Sequence, residues 1–156
     1  MEKVTIDELA IPTPNPAEKA VPLSGVLGTT DLAINYYELA AGERFGFDLH
    51  RHMDQEEIFY IQAGTVTFQL EEGEVEVNDG EVIRFAPGEF QLGENQSEQV
   101  VKAVALGAPR DTREIEYLRQ CQHCEEETIQ RLAPPEKGEF LVTCTQCKRE
   151  TVSERV

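Results

Sequence analysis

The chain has 156 residues, 40% of them apolar, enough for one ordinary domain with a real core and a small addition. Its 30 acidic side chains outnumber 14 basic ones, and the resulting formal charge of −16 repels nucleic-acid backbones and anionic lipid. The start, Met1–Thr5, lacks an apolar signal core, and the apolar stretch Val100–Leu106 is short and carries Lys102. A cytoplasmic protein with no nucleic-acid or membrane partner is therefore expected. The acid excess fits a halophilic source, although an ordinary acidic cytosolic protein has the same composition.

Residues 1–22 contain Pro12, Pro14, Pro16 and Pro22 and read as an extended arm with little regular structure. Short strand-like runs then follow one another: Leu32–Leu39, Phe45–Leu49, Glu57–Ile61, Thr65–Leu70, Glu74–Val77, Glu81–Phe85 and Gln99–Leu106. Ala41-Gly42, Ala63-Gly64, Glu72-Gly73, Asn78-Asp79-Gly80 and Pro87-Gly88 supply the turns. Thr65–Leu70 alternates, with Val66, Phe68 and Leu70 on one face. Many short strands with turns between them predict an antiparallel sandwich or barrel. No long amphipathic helix appears. Gly107–Asp111 reads as a linker, and a cysteine-bearing module follows.

Within the first half, His50, His52 and Glu57 form the pattern His-x-His-x₄-Glu, with Gly64 after six more residues. Residues two apart on a strand share a face, so His50 and His52 can hold one ion. Met53-Asp54-Gln55-Glu56 reads as a turn that returns the Glu57 carboxylate beside them. Two imidazoles and a carboxylate with open positions suit a divalent metal that also holds a ligand.

Gly42, His50, His52, Glu57 and Gly64 resemble the first motif of the cupin superfamily, with seven residues between Gly42 and His50 where five is usual. Gly80, Gly88, Gln91 and Asn95 fall at the intervals of its second motif. There the family proline is displaced to Pro87, and Gln91 stands where the fourth ligand is usually His. The resemblance implies an all-β fold, a jelly-roll barrel over residues 23–110. It also implies His50, His52 and Glu57 as ligands of Fe, Mn, Ni or Zn, and a homodimer as the default assembly. Gln91 has three possible roles: to ligate, to hold a metal-bound water or to bind substrate. A barrel that has lost its metal is the alternative. Strand alternation nominates Tyr60 or Phe59, Phe68, Phe85 and Phe90 for a cavity lining, with core packing as the competing reading. Tyr60, Phe68, Phe85 and Asn95 are taken as the candidate substrate contacts. Arg44 and Arg84 are anion-binding candidates or solvated surface, and Arg51 is expected to point away from the imidazoles.

In residues 111–156, Cys121-x₂-Cys124 and Cys144-x₂-Cys147 are two knuckles with nineteen residues between them. Four thiolates so spaced satisfy a tetrahedral structural Zn²⁺ with no open position. Disulfides fit a reducing compartment poorly, and a redox pair lacks the usual helix start. Two strands, Glu127–Leu132 and Glu139–Thr143, around Pro134–Gly138 resemble a zinc ribbon. Glu125 and Lys148 follow the second cysteines, where ribbons often have Gly. His123 is expected to face solvent. The acidic run Glu125–Glu127 argues for a protein partner rather than a nucleic acid. Lys148, Arg149 and Arg155 form only a thin basic tail.

Three functions follow. One is a metal-dependent enzyme, of dioxygenase or sugar isomerase type, acting on a small organic molecule. The second is a non-catalytic small-molecule sensor whose ribbon contacts a partner, and the third is a scaffold without a site.

Overall fold

The computed structural model describes residues 1–9, 16–133 and 140–153. Pro12, Pro14, the expected turn Pro134–Gly138 and Arg155 lie outside them. Among the described residues the strands are β1 Lys19–Pro22, β2 Ala33–Leu39, β3 His50–His52, β4 Glu56–Ala63, β5 Thr65–Gln69, β6 Glu74–Asn78, β7 Val82–Phe85, β8 Leu92–Glu94 and β9 Val101–Ala108. They continue with β10 Ile115–Gln120, β11 Glu127–Leu132, β12 Phe140–Cys144 and β13 Glu150–Ser153. The one α-helix among the described residues, α1 Leu23–Leu27, is a single turn closed by Gly28 in the left-handed conformation. No helix among the described residues is long and apolar enough to cross a membrane.

One sheet has the order β1-β2-β9-β4-β7, all antiparallel. Facing it are β6-β5-β8 and, joined to β8 by a bridge between His50 and Gln91, β3. Between these layers lies an apolar core: Leu39 from β2, Phe59 and Ile61 from β4, Val66 and Phe68 from β5, Val77, Phe85, and Val101, Ala103 and Ala105 from β9. The alternation in Thr65–Leu70 is real, since Val66 and Phe68 are fully buried and Leu70 packs against the same core. Phe45, Phe59, Phe68 and Phe85 form a continuous ring cluster with centroids 5.0–6.1 Å apart. Gly93 makes room for it: a Cβ there would lie 2.5 Å from Phe45 and 2.8 Å from Phe68.

Three sequence expectations change. The end of the arm is β1, and Val4, Ile6 and Leu9 cover the outer face of the first sheet with Val21, Leu23 and Tyr36. Pro22 is tolerated because β1 is an edge strand and its nitrogen owes no ladder bond. Phe45–Leu49 is not a strand; Arg44 makes an isolated bridge to Glu94, Phe45 turns into the core, and β3 starts at His50. The segment read as a linker is held: Gly107 and Ala108 finish β9, and Gln55 Nε2 donates to the Pro109 carbonyl at 2.6 Å.

The cysteine-bearing hairpin is continuous with the barrel. Its sheet has the order β13-β12-β11-β10-β3, so β10 pairs with β11 on one side and with the histidine strand β3 on the other. Glu116 of β10 clamps this junction. Its carboxylate accepts from Arg51 Nε and Nη2 at 2.9 and 2.6 Å and from Arg131 Nε at 2.8 Å, linking β3, β10 and β11. Arg51 thus faces away from the imidazoles, as expected, and lies over the Phe90 ring.

Candidate metal centres and the adjoining cavity

His50 and His52 project from one face of β3, their ring centroids 5.2 Å apart. Glu57, near the start of β4, brings a carboxylate to the same point, and the three candidate ligand atoms lie within 4.8 Å of one another. Both ring tautomers follow from their partners. His50 Nδ1 is 2.9 Å from the Asp48 carbonyl, which can only accept, so Nδ1 carries the proton and Nε2 keeps its lone pair. For His52, the Thr112 hydroxyl donates to Asp54 Oδ1 at 2.7 Å. Its oxygen is then left to accept from His52 Nδ1 at 3.1 Å, which again leaves Nε2 as a base. Partners of this kind fix ligand orientation in metal sites.

Gln91 closes the fourth corner. Its Nε2 donates to Glu57 Oε2 at 2.9 Å and to His50 Nε2 at 3.0 Å, bridging two acceptors. Its Oε1 is buried and has no hydrogen-bond partner among the described residues. Burial and the neighbouring His50 depress the basicity of His52 to about 3, and burial lowers His50 as well. Both rings are therefore neutral at pH 7. Burial raises Glu57 to about 7 against the lowering effect of the Gln91 amide. The group as a whole holds lone pairs without a matching charge, and an N–H₂ is what now faces them. A half-turn of the amide exchanges Nε2 for Oε1 and gives a cation four converging donors, so the residues fit a divalent metal.

A cavity of about 210 Å³ adjoins the cluster, lined by Tyr37, Phe45, Gly46, Phe47, Phe59, Ala105 and Tyr117 besides the four polar residues. This is smaller than the roughly 300–1,000 Å³ of typical drug-sized pockets. The expected substrate contacts lie elsewhere. Tyr60 sits on the outer face of β4 and is 40% exposed, because the inward positions of that strand are Glu57, Phe59 and Ile61. Phe68 and Phe85 are spent in the core. Asn95 is fully buried, donating to the Leu39 and Gln99 carbonyls and accepting from Ser97, a turn-holding role. Arg44 and Arg84 pair with Glu94 and Glu56. Sequence reasoning missed Tyr37 and Tyr117. Strand alternation in β2 was the available signal for Tyr37, whereas β10 was not recognised as a strand at all.

The second cluster gathers Cys121, Cys124, Cys144 and Cys147, likewise within 4.8 Å of one another. Two Sγ–Sγ separations are 3.9 and 3.8 Å. A tetrahedron with Zn–S of about 2.3 Å has edges of about 3.8 Å, so the sulfurs stand where that ion needs them. The two knuckles repeat one backbone turn. Glu125 N donates to Cys121 O and Lys148 N to Cys144 O, at 2.9 and 3.0 Å. Glu125 and Lys148 adopt φ of 59° and 61°, the left-handed region that explains why Gly is common there. Hydrogen bonds from the Thr128 hydroxyl and from the backbone of Cys147 and Gln146 pull the Cys144 thiol down to about 6. Burial and the neighbouring thiols push Cys124 up to about 12. His123 is exposed and accepts at Nδ1 from Arg149.

The barrel matches a family model described as a cupin domain over residues 35–107. No curated protein matches the chain. Several solved structures share the fold. A sugar phosphate isomerase from a cupin superfamily, from Silicibacter pomeroyi, is 16% identical over 86% of this chain and 75% of that one, with a TM-score of 0.57. A putative sugar phosphate isomerase from Acidithiobacillus ferrooxidans is 15% identical over 86% and 74%, with a TM-score of 0.55. A protein from Thermus thermophilus is 22% identical over 71% of this chain and 100% of that one, with a TM-score of 0.58. At such identities the likeness is one of fold. The double layer of antiparallel strands, the histidine strand at its mouth and the family match agree that residues 35–107 form a barrel of the cupin type.

Proposed function

We propose that this protein holds a divalent cation at His50, His52 and Glu57, with Gln91 as fourth donor, and binds or transforms a small organic molecule in the adjoining cavity. One observation carries the reading: both Nδ1 protons are committed to carbonyl or hydroxyl partners, so two Nε2 lone pairs and a carboxylate converge. Fe, Mn, Ni and Zn all suit such a set. A bound cation supplies Lewis-acid polarisation of a ligand oxygen. The aromatic wall of Tyr37, Phe47 and Tyr117 would exclude water and orient the ligand. Two of the structurally similar proteins are named sugar phosphate isomerases. Among the described residues no Lys or Arg lines this cavity to hold a phosphate, so a small, weakly polar molecule fits its chemistry better. In the same reading a structural zinc occupies the four cysteines.

A second reading is favoured by the shared strand β10. The protein would then sense its ligand without turning it over, with the hairpin as the surface offered to a protein partner. A homodimer belongs to either reading, and the exposed Tyr60–Val82 pair on β4 and β7 is the surface a second copy would cover.

Elemental analysis of the native protein tests the metals. About two ions per chain are expected, one lost in His50→Ala/His52→Ala and the other in Cys121→Ser/Cys124→Ser. A histidine variant with undiminished metal content would end the barrel-site reading.

A further inference from the structure

We propose that the four-cysteine hairpin and the His50–His52–Glu57 cluster form one linked unit, in which a cation at the cysteines sets the affinity of the imidazole site. The proposal rests on reading both clusters as cation sites. The coupling runs through β10, and it is made of named contacts rather than proximity.

The register comes first. On one side of β10, Tyr117 faces His50 and Ile115 faces His52; on the other, Leu118 faces Ile129 and Gln120 faces Glu127. Cys121 follows the last residue of β10 directly. A cation that fixes Cys121 therefore fixes the end of the strand against which the histidine strand is laid. On its other side β3 meets the barrel through the isolated His50–Gln91 bridge and a bond from Gly88 N to the His52 carbonyl at 2.9 Å, whereas all three of its residues pair with β10.

Arg119 supplies the specific link. Its Nη1 donates to Asp48 Oδ2 at 3.1 Å, and its Nε donates to Gln130 Oε1 at 3.2 Å. The same guanidinium lies over the Tyr117 ring, 5.4 Å from its centroid. Asp48 is the residue whose carbonyl accepts from His50 Nδ1 and so fixes the lone pair on Nε2. Gln130, buried in β11, returns its amide to the Arg119 and Gln120 carbonyls. One side chain thus ties the hairpin strand to the residue that orients His50. Tyr117, 5.8 Å from the His50 ring, is at the same time a wall of the cavity.

Occupancy matters because a short hairpin has little core of its own, and ligation supplies much of its order. With the cysteines unligated, no metal–sulfur bonds hold the four side chains together at the end of β10. That end loosens, taking Arg119, Asp48 and Tyr117 with it. His50 loses its fixed tautomer and its stacking neighbour, whereas His52 keeps Thr112. Arg119 is a positioning residue in this scheme and touches neither ion.

The test uses the full chain, loaded with one equivalent of Zn²⁺ and then titrated with Co²⁺. Calorimetry reads affinity, and the visible spectrum distinguishes thiolate from imidazole coordination. Wild type is compared with Arg119→Gln and with Cys124→Ser/Cys147→Ser. We expect Co²⁺ affinity at the imidazole site to fall about five- to thirtyfold in both variants. Arg119→Lys, which retains a charge for Asp48, should recover most of it. Linkage requires the reciprocal effect: Co²⁺ at the imidazoles should slow loss of Zn²⁺ to a chelator in the wild type. Ring-nitrogen NMR of metal-stripped Arg119→Gln should show mixed tautomers at His50 and an unchanged His52, which general loosening of the fold does not produce. If the cysteine variant fails to fold, Arg119→Gln decides. Wild-type affinity in Arg119→Gln with zinc retained overturns the linkage while leaving both metal sites standing. Cobalt bound only by thiolate in the wild type overturns the barrel-site reading, and the linkage with it.

Discussion

Replacing Gln91 by Leu tests the account of the barrel site most directly. The substitution introduces an apolar side chain of similar size and removes both donations from Nε2, at 2.9 Å to Glu57 and 3.0 Å to His50. It also removes Oε1, which is buried without a partner and already costs the fold. Two buried acceptors are orphaned and one is relieved, at about 1–3 kcal/mol each, so the net loss is about 2 kcal/mol. For a chain of this length that is a fall of about 4–8 °C in Tm. The loss should depend on pH. Glu57 titrates near 7 in the folded protein, above its ordinary 4.5, because burial disfavours the carboxylate. Its folded value is raised, so burial of the ionised group weighs against the fold as pH rises through about 7. Below that pH Glu57 carries its own proton and needs the amide less. Thermal melts of metal-stripped protein at pH 5.5 and pH 8 should show the larger deficit at pH 8. A divalent cation should raise Tm less in Gln91→Leu than in wild type, and most in Gln91→His, which restores an imidazole donor. Equal stability of wild type and Gln91→Leu at pH 8 in chelator would falsify the bridging role.

Further predictions concern the junction, the knuckles and the surface. Glu116→Gln should cost about 1–2 kcal/mol at neutral pH, since Arg51 loses the charge it faces and Arg131 is largely exposed. Burial works to raise the Glu116 carboxyl, but hydrogen bonds from Arg131 and Arg51 and their charge hold it below its ordinary value. A lowered folded value stabilises above the ordinary range and is lost as pH falls through it, so denaturation curves of wild type and Glu116→Gln should converge in acid. Lys148→Gly, at φ of 61°, should raise Tm by about 2 °C by relieving a left-handed backbone; a fall in Tm would place the Lys148 side chain in a contact that matters. With a charge of −16, the melting temperature should climb between about 0.1 and 1 M KCl, as the screening length drops from about 10 to 3 Å. A flat or falling curve counts against a salt-adapted surface.

The barrel was legible wherever alternation or ligand spacing was strong. Thr65–Gln69 and Ala33–Leu39 fell within a residue of their expected bounds, because the contrast between a strand-forming run and the turn residues that border it, Ala63-Gly64 and Ala41-Gly42, is sharp. The His-x-His pair was readable because a strand repeats every two residues. What escaped notice lacks that contrast. In β10 both Glu116 and Tyr117 are buried, neighbours in sequence on opposite faces, since this strand is covered on each side. A polar residue made to serve as a clamp looks like a linker residue from sequence alone. Tyr60 was misplaced for the opposite reason: an aromatic on a barrel strand suggests the interior, but the register set by Glu57 turns it outward. The fourth corner was marked by sequence as unusual, and only coordinates reveal that the amide nitrogen rather than the oxygen faces the ligands.

The placement of β3 bears on how this chain survives in a crowded solution. Its three residues have a full strand neighbour only in β10, at Ile115–His52, Glu116–Arg51 and Tyr117–His50. A protein cut after Ala108 would keep the core intact and leave that strand with an unpaired row of amides and carbonyls. Such an edge is a template for another copy. The C-terminal hairpin therefore acts as a shield against edge-to-edge aggregation, and proteolysis just beyond the barrel would yield a fragment that is folded and sticky.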